Sequence, residues 1–168
     1  MDIPQIKLLA GPHGDTALTG TGCFMNVIAY LNGEPTITDQ SECVCYVMRP
    51  LAIWANDWMN DAERPALLPF LLRAMGSRTD DMAEIKRRLA LVVEFANKQG
   101  NFAAQYAQYA QYAQDAAKHA AQYAAQYAKY RKANVAAILA LFDAAFPPLD
   151  AVSEVTLQRV RTLEAINA

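Results

Sequence analysis

Glycine and proline are scarce in this chain and confined to part of it. The 168 residues include seven glycines, all at or before Gly100, and no proline lies between Pro69 and Pro147. The chain also lacks an apolar run of the roughly 20 residues that a membrane-spanning helix needs, and the basic-then-apolar start of a signal peptide. We therefore expect a cytoplasmic protein without a membrane partner, and a long helical region after residue 100.

Charged residues and cysteines are limited as well. Charged residues make up 19% of the chain, and the formal net charge is -2. This is too little positive charge for a protein whose main partner is a nucleic acid. The three cysteines, Cys23, Cys43 and Cys45, cannot all pair within one chain, which argues against a disulfide framework and favours a reducing compartment.

The distribution of helix breakers predicts the domain organisation. Residues 1–100 hold the glycines and several short apolar segments, which is typical of a head made of short helices. The predicted helices of the head run from Cys23 to about Asn32, from Ser41 to Met59 with a bend at Pro50, from Asp61 to Met75, and from Met82 to Lys98. Residues 101–168 are predicted to form a long helix rich in alanine, glutamine and tyrosine, and a C-terminal helix that starts at Asp150 or Ser153. The predicted fold is all-α, a helical bundle in which the compact head packs on the long helix as one folded unit.

Residues 101–133 form a degenerate repeat of AQY and AAQY units. The segment contains thirteen alanines, six tyrosines and six glutamines, and no glycine or β-branched residue, so its helix propensity is high throughout. Continued to Ala145, one helix would span up to about 45 residues and about 65 Å. A flank of tyrosines beside a stripe of alanines favours a homodimer or a higher oligomer. The predicted interface residues are Tyr106, Tyr109, Ala113, Ala117, Ala120, Tyr123 and Tyr127. A tyrosine-lined groove for a ring-shaped or cationic ligand and an aggregating or ice-binding repeat are the alternatives.

The polar residues that could form a site cluster before residue 65. The candidate ligand-binding residues are His13, Cys23, Asn26, Glu34, Asp39, Arg49, Asn56 and Asp57. Each also has an ordinary structural interpretation as a helix cap or a core residue. We expect no cofactor.

Two reactive alternatives use the same segment. His13, Cys23 and Cys43 are the right ligand types for zinc, although Cys43-x-Cys45 is one residue tighter than the usual CxxC spacing. A hydrolase would instead use Cys23, at a helix N-terminus that favours the thiolate, with His13 as its base.

Several runs in the head carry a resemblance to a known pattern. They are Gly11-Pro12-His13, Gly22-Cys23-Phe24-Met25-Asn26, Ala29-Tyr30-Leu31-Asn32-Gly33-Glu34, Thr38-Asp39-Gln40, Cys43 and Asn56-Asp57. Together they resemble an alanine-rich family of uncharacterised bacterial and bacteriophage proteins with the pattern GxH…GxCxM[E/N]xxAYxxGE…[ST]DxxxxC…ND. The resemblance implies no particular chemistry. It implies that His13, Cys23, Asp39, Cys43, Asn56 and Asp57 converge on one site or one polar core.

The chain departs from that family pattern at two positions that bear on function. Asn26 stands where the pattern usually has glutamate, which removes a candidate metal ligand or general base, and Ser41 stands where it has proline. We therefore expect a soluble bacterial or phage protein that holds a small polar ligand, such as a signalling nucleotide, or a partner protein in its head. The alternative is the hydrolase-like enzyme that uses Cys23 and His13 or a zinc site.

Overall fold

The computed structural model describes residues 6–11, 21–113 and 120–151, and within them the side chains of residues 6–11, 21–98, 128–149 and 151. Most of the fold is helical, as predicted for an all-α protein. The helices are α1 (Phe24–Leu31), α2 (Arg49–Trp58), α3 (Phe70–Met75), α4 (Met82–Ala113) and α5 (Ala120–Ala145), with short 3-10 turns at Arg64–Leu67 and Leu149–Ala151. Two short strands, β1 (Lys7–Leu8) and β2 (Thr21–Gly22), pair in parallel.

Helix α1 is the central element of the head. Every residue of it except Tyr30 is buried, because its sequence is apolar on all sides and is covered by α2 and α3. Cys23 is its N-cap, with an extended backbone and a sulfur that accepts the amide of Asn26. Gly33 follows the C-cap with a φ of +69°, the left-handed conformation that glycine adopts most readily.

Helix α2 starts later than predicted, and the bend at Pro50 is wrong. Residues 42–48 form turns and bends, and α2 begins at Arg49 with Pro50 in its first turn. Proline is well tolerated there because the missing amide hydrogen would have no partner inside the helix. Proline also shapes the next segment, since Pro65 lies in the 3-10 turn and Pro69 is the N-cap of α3.

The two long helices divide the alanine–tyrosine repeat between them. Helix α4 continues from the head through Gly100 to Ala113, and the second part of the repeat belongs to α5. The Nη1 atom of Arg87, near the start of α4, donates to the carbonyl of Ala144 at the end of α5, at 2.9 Å. The two helices therefore lie side by side as an antiparallel pair, whereas the repeat pattern predicted one helix through residue 145.

Several predictions for the C-terminal half concern parts that the structure does not describe. Ala117 and the predicted helix after Ser153 lie outside the described residues. The other predicted interface residues lie on α4 or α5, but their side chains are not among those described. The self-association surface therefore stays a prediction.

Phe142 connects α5 to the head. Its ring is fully buried, and its centroid lies 6.0 Å from that of Phe24, 5.6 Å from that of Phe70 and 5.2 Å from that of Phe146. The hydrophobic core therefore includes α1, α3 and α5 together. Within the described part of the chain, no helix combines the length and the apolarity needed to cross a bilayer.

Candidate functional site

Asn56 and its neighbours form a polar cluster at the start of α1. The side-chain oxygen of fully buried Asn56 accepts the backbone amide of Phe24 at 3.2 Å. Its amide nitrogen donates to the carbonyl of Leu9 at 2.8 Å and to the carboxylate of Asp57 at 3.1 Å. That carboxylate also accepts the amide of Gly11, at 2.7 Å. Asn56 and Asp57 therefore fasten the first segment of the chain to α1 and α2.

Cys23 and Asn26 belong to the same cluster. The Cys23 thiol donates to Oδ1 of Asn26 at 3.0 Å, and its sulfur accepts the Asn26 amide at 3.4 Å. Burial raises the pKa of the Cys23 thiol above its usual value, and the carboxylates of Asp57 and Asp39 add to the rise. A thiol that stays protonated at neutral pH is a poor nucleophile and a poor metal ligand. These contacts are those of a structural helix cap.

Glu34, Ser41 and Cys43 form a second polar cluster. Asn32 donates to a carboxylate oxygen of Glu34 at 3.0 Å, and the hydroxyl of Ser41 donates to the same oxygen. The Ser41 hydroxyl also contacts the Cys43 sulfur, at 3.1 Å. Burial raises the pKa of Cys43, and the carboxylate of Glu34 raises it further. This cluster, too, favours the protonated thiol.

The structure thus separates the candidate residues into groups. Cys23, Asn26, Asn56 and Asp57 share one cluster, Glu34 and Cys43 share another, and Asp39 accepts a hydrogen bond from its neighbour Gln40. His13 lies outside the described residues. In the segments that are described, no three His, Cys, Asp or Glu side chains come together as a metal site would require.

The remaining candidate, Arg49, lines an open groove at the start of α2. The groove has a volume of about 410 Å³ and is formed by Gln40, Tyr46, Arg49, Pro50, Ile53 and Trp54. Tyr46 is 58% exposed and Trp54 is 39% exposed. An exposed pair of aromatic rings beside an arginine is unusual on a surface without a binding role.

Arg49 is held in place by one hydrogen bond. Its Nε donates to the carbonyl of Val44 at 3.1 Å. Among the described residues, none forms an ion pair or a hydrogen bond with its terminal nitrogens. The bond to Val44 fixes the guanidinium group, and its two NH₂ groups stay available to an anion in the groove.

The analysis of the sequence found only one of the six groove residues. Tyr46, Arg49, Pro50, Ile53 and Trp54 follow each other at intervals of three, one, three and one residues, which places them on one face of a helix. That spacing could have identified the groove. It was hidden because the same face, read as part of a helix that starts at Ser41, has the pattern of an ordinary core-facing stripe.

The comparisons with known proteins leave the functional argument to the site itself. No family model, curated protein or solved structure matches this chain. The likeness to the alanine-rich bacterial and phage family accordingly stays a prediction.

Proposed function

We propose that this protein binds a small anionic molecule with a planar ring, of the nucleotide class, in the groove of Arg49. The observation that carries the proposal is the combination found there: a guanidinium group whose terminal nitrogens bind no described residue, between two exposed aromatic side chains. The protein in this view is a binding protein, as expected for its head, with the site at the start of α2.

The chemistry of the groove favours a ring that carries a phosphate. Aromatic side chains bind the faces of planar rings, and one stacked base contributes about 1–3 kcal/mol. The fork of an arginine matches the oxygens of a phosphate or a carboxylate, and such charge-assisted hydrogen bonds are roughly twice as strong as neutral ones. Gln40 adds a side-chain amide that can accept and donate hydrogen bonds at the edge of the groove.

Tryptophan fluorescence tests the proposal directly. The chain contains two tryptophans. Trp54 lines the groove, and Trp58 stacks on it with a centroid distance of 5.8 Å. Both fluorophores therefore report on this one region. We expect quenching when any suitable member of the four ribonucleoside 5′-monophosphates is titrated, and weaker quenching by the matching nucleoside or by ribose 5-phosphate.

Two variants and a matched control define the site. Arg49→Gln removes the charged fork and should weaken nucleotide binding by roughly tenfold to a hundredfold, since hydrogen bonds to charged groups contribute about 1.5–3 kcal/mol. Tyr46→Ala removes an exposed ring and should weaken binding by about tenfold. Lys86→Gln, which removes an exposed charge on α4 outside the groove, should leave the affinity unchanged.

Calorimetry with the same nucleotides provides an independent affinity, and thermal melting shows whether each variant is folded. If none of the four mononucleotides binds the folded wild-type protein at millimolar concentration, the proposal is wrong. Equal losses in Arg49→Gln and Lys86→Gln would show only non-specific charge attraction, and that result would also contradict it.

A further inference from the structure

A second cavity lies on the other side of the tryptophan pair from the groove. It has a volume of about 490 Å³ and is lined by Glu63, Ala128, Arg131, Lys132, Val135, Ala136 and Leu139. Most of its wall therefore belongs to one face of α5, whereas the groove belongs to α2. The cavity combines apolar side chains with a lysine, which is the same kind of lining as the groove has.

The two cavities are joined by a continuous stack of side chains. Trp54, in the groove, stacks on Trp58 at an angle of 20° between the ring planes. The guanidinium group of Arg131, in the second cavity, lies 4.5 Å from the centroid of the Trp58 ring. The surface from one cavity to the other thus consists of two ring systems and one guanidinium group, with Trp54 exposed and Trp58 half-buried.

Glu63 holds Arg131 rigidly in this stack. Both carboxylate oxygens of Glu63 accept hydrogen bonds from Arg131, at 2.6 and 2.5 Å, and Arg131 also donates to the carbonyl of Trp58 at 3.0 Å. The edge of the Trp54 ring meets Phe95 of α4 with 5.8 Å between centroids. The tryptophan pair is thereby clamped between α4 and α5, so the distance between the two cavities is a fixed property of the fold.

The second cavity offers a separate positive charge. Lys132 is exposed, and no described side chain forms an ion pair with it. Val135, Ala136 and Leu139 provide an apolar face beside it. A ring that packs on this face would place an attached phosphate within reach of the flexible lysine side chain.

We infer that the two cavities bind the two halves of one ligand, which carries two rings and more than one phosphate: a dinucleotide. This inference rests on the proposed nucleotide-binding function of the groove. Its own basis is the juxtaposition of two cavities with equivalent linings, one cation each, across a rigid aromatic stack. One nucleotide half binds Trp54 and Arg49, and the other packs on α5 next to Lys132.

Linkage of the two halves predicts a measurable gain in affinity. When one half is bound, the second binds as an intramolecular event at a high effective concentration, so the linked ligand binds more tightly than either half. We expect each dinucleotide to bind about tenfold or more tightly than the mononucleotide with the same base.

The experiment compares the four mononucleotides with the dinucleotides pApA, pCpC, pGpG and pUpU by fluorescence and calorimetry. The wild-type protein, Arg49→Gln, Lys132→Gln and the control Lys86→Gln are titrated, each after a thermal melt shows that it is folded. We expect Lys132→Gln to lose most of the dinucleotide advantage while its mononucleotide affinity stays unchanged. Arg49→Gln should weaken the binding of both ligand types.

The outcomes separate this inference from the proposed function. If mononucleotides bind and dinucleotides bind no more tightly, the groove is a mononucleotide site and the inference is wrong. The same holds if the dinucleotide advantage is equal in wild type, Lys132→Gln and Lys86→Gln. If neither ligand type binds, both the inference and the proposed function are wrong.

Discussion

Replacement of Asn56 by alanine should destabilise the protein strongly, although the residue lies next to the first segment of the chain and not at the centre of the core. The substitution leaves two backbone groups without their partner, the amide of Phe24 and the carbonyl of Leu9. An unsatisfied buried polar group costs about 1–3 kcal/mol. We therefore expect Asn56→Ala to lower the free energy of unfolding by about 2–4 kcal/mol.

A matched substitution isolates this effect. Asn97 is an exposed asparagine in α4, and Asn97→Ala makes the same change of side chain in a helix without removing a described hydrogen bond. Alanine favours a helix over asparagine by about 0.5 kcal/mol, so Asn97→Ala should be neutral or slightly stabilising. Chemical unfolding in urea, followed by circular dichroism, measures both variants. A difference between them of less than about 1 kcal/mol would refute the argument that Asn56 satisfies buried backbone groups.

Two further predictions concern ionisable groups. Cys23→Ala should lower the free energy of unfolding by about 1 kcal/mol through loss of the helix cap, whereas Cys23→Ser should retain most of it, as urea unfolding will measure. The native Cys23 thiol should react with a thiol reagent only as fast as the protein unfolds, and rapid labelling at neutral pH would contradict its assignment as a cap. Hydrogen bonds from Arg87, assisted by the charge of Arg88, lower the pKa of Glu84 to about 2. Because this folded-state pKa lies below the unfolded value of 4.5, the stabilisation is complete above pH 4.5 and is lost as the pH falls towards about 2. Glu84→Gln should reduce the loss of stability over this range in acid unfolding curves, and an unchanged curve would show that the ion pairs contribute nothing.

The helix ends that depend on local chemistry could be predicted from the sequence. Cys23 precedes an apolar helix, and glycines follow the ends of α1 and α3, so the caps were recognisable residue by residue. The start of α2 could not be predicted in the same way. An apolar and polar pattern from Ser41 to Met59 fits a helix, but the turns before Arg49 are held by contacts with residues distant in the chain, such as the bond from the Cys45 amide to Ser77.

The candidate site shows the same division. The sequence identified Arg49 as a polar residue near the start of a helix, and its neighbours in the groove lie within fifteen residues of it. It did not identify the stack that borders the groove, because Arg131 reaches Trp58 across 73 positions of the chain. Nor could it separate Asn56 and Asp57, which fasten the first segment, from residues available to a ligand.

The composition and periodicity of this chain alone determine an all-α protein, because helix propensity, caps and breakers act over a few residues. The tertiary structure decided what those helices do together. It divided the alanine–tyrosine repeat between α4 and α5, and it buried the thiols that appeared reactive. It also placed Arg131 on Trp58 beside the groove of Arg49. Such arrangements depend on packing between segments far apart in sequence, and no local pattern records which distant residue fills the space beside a given side chain.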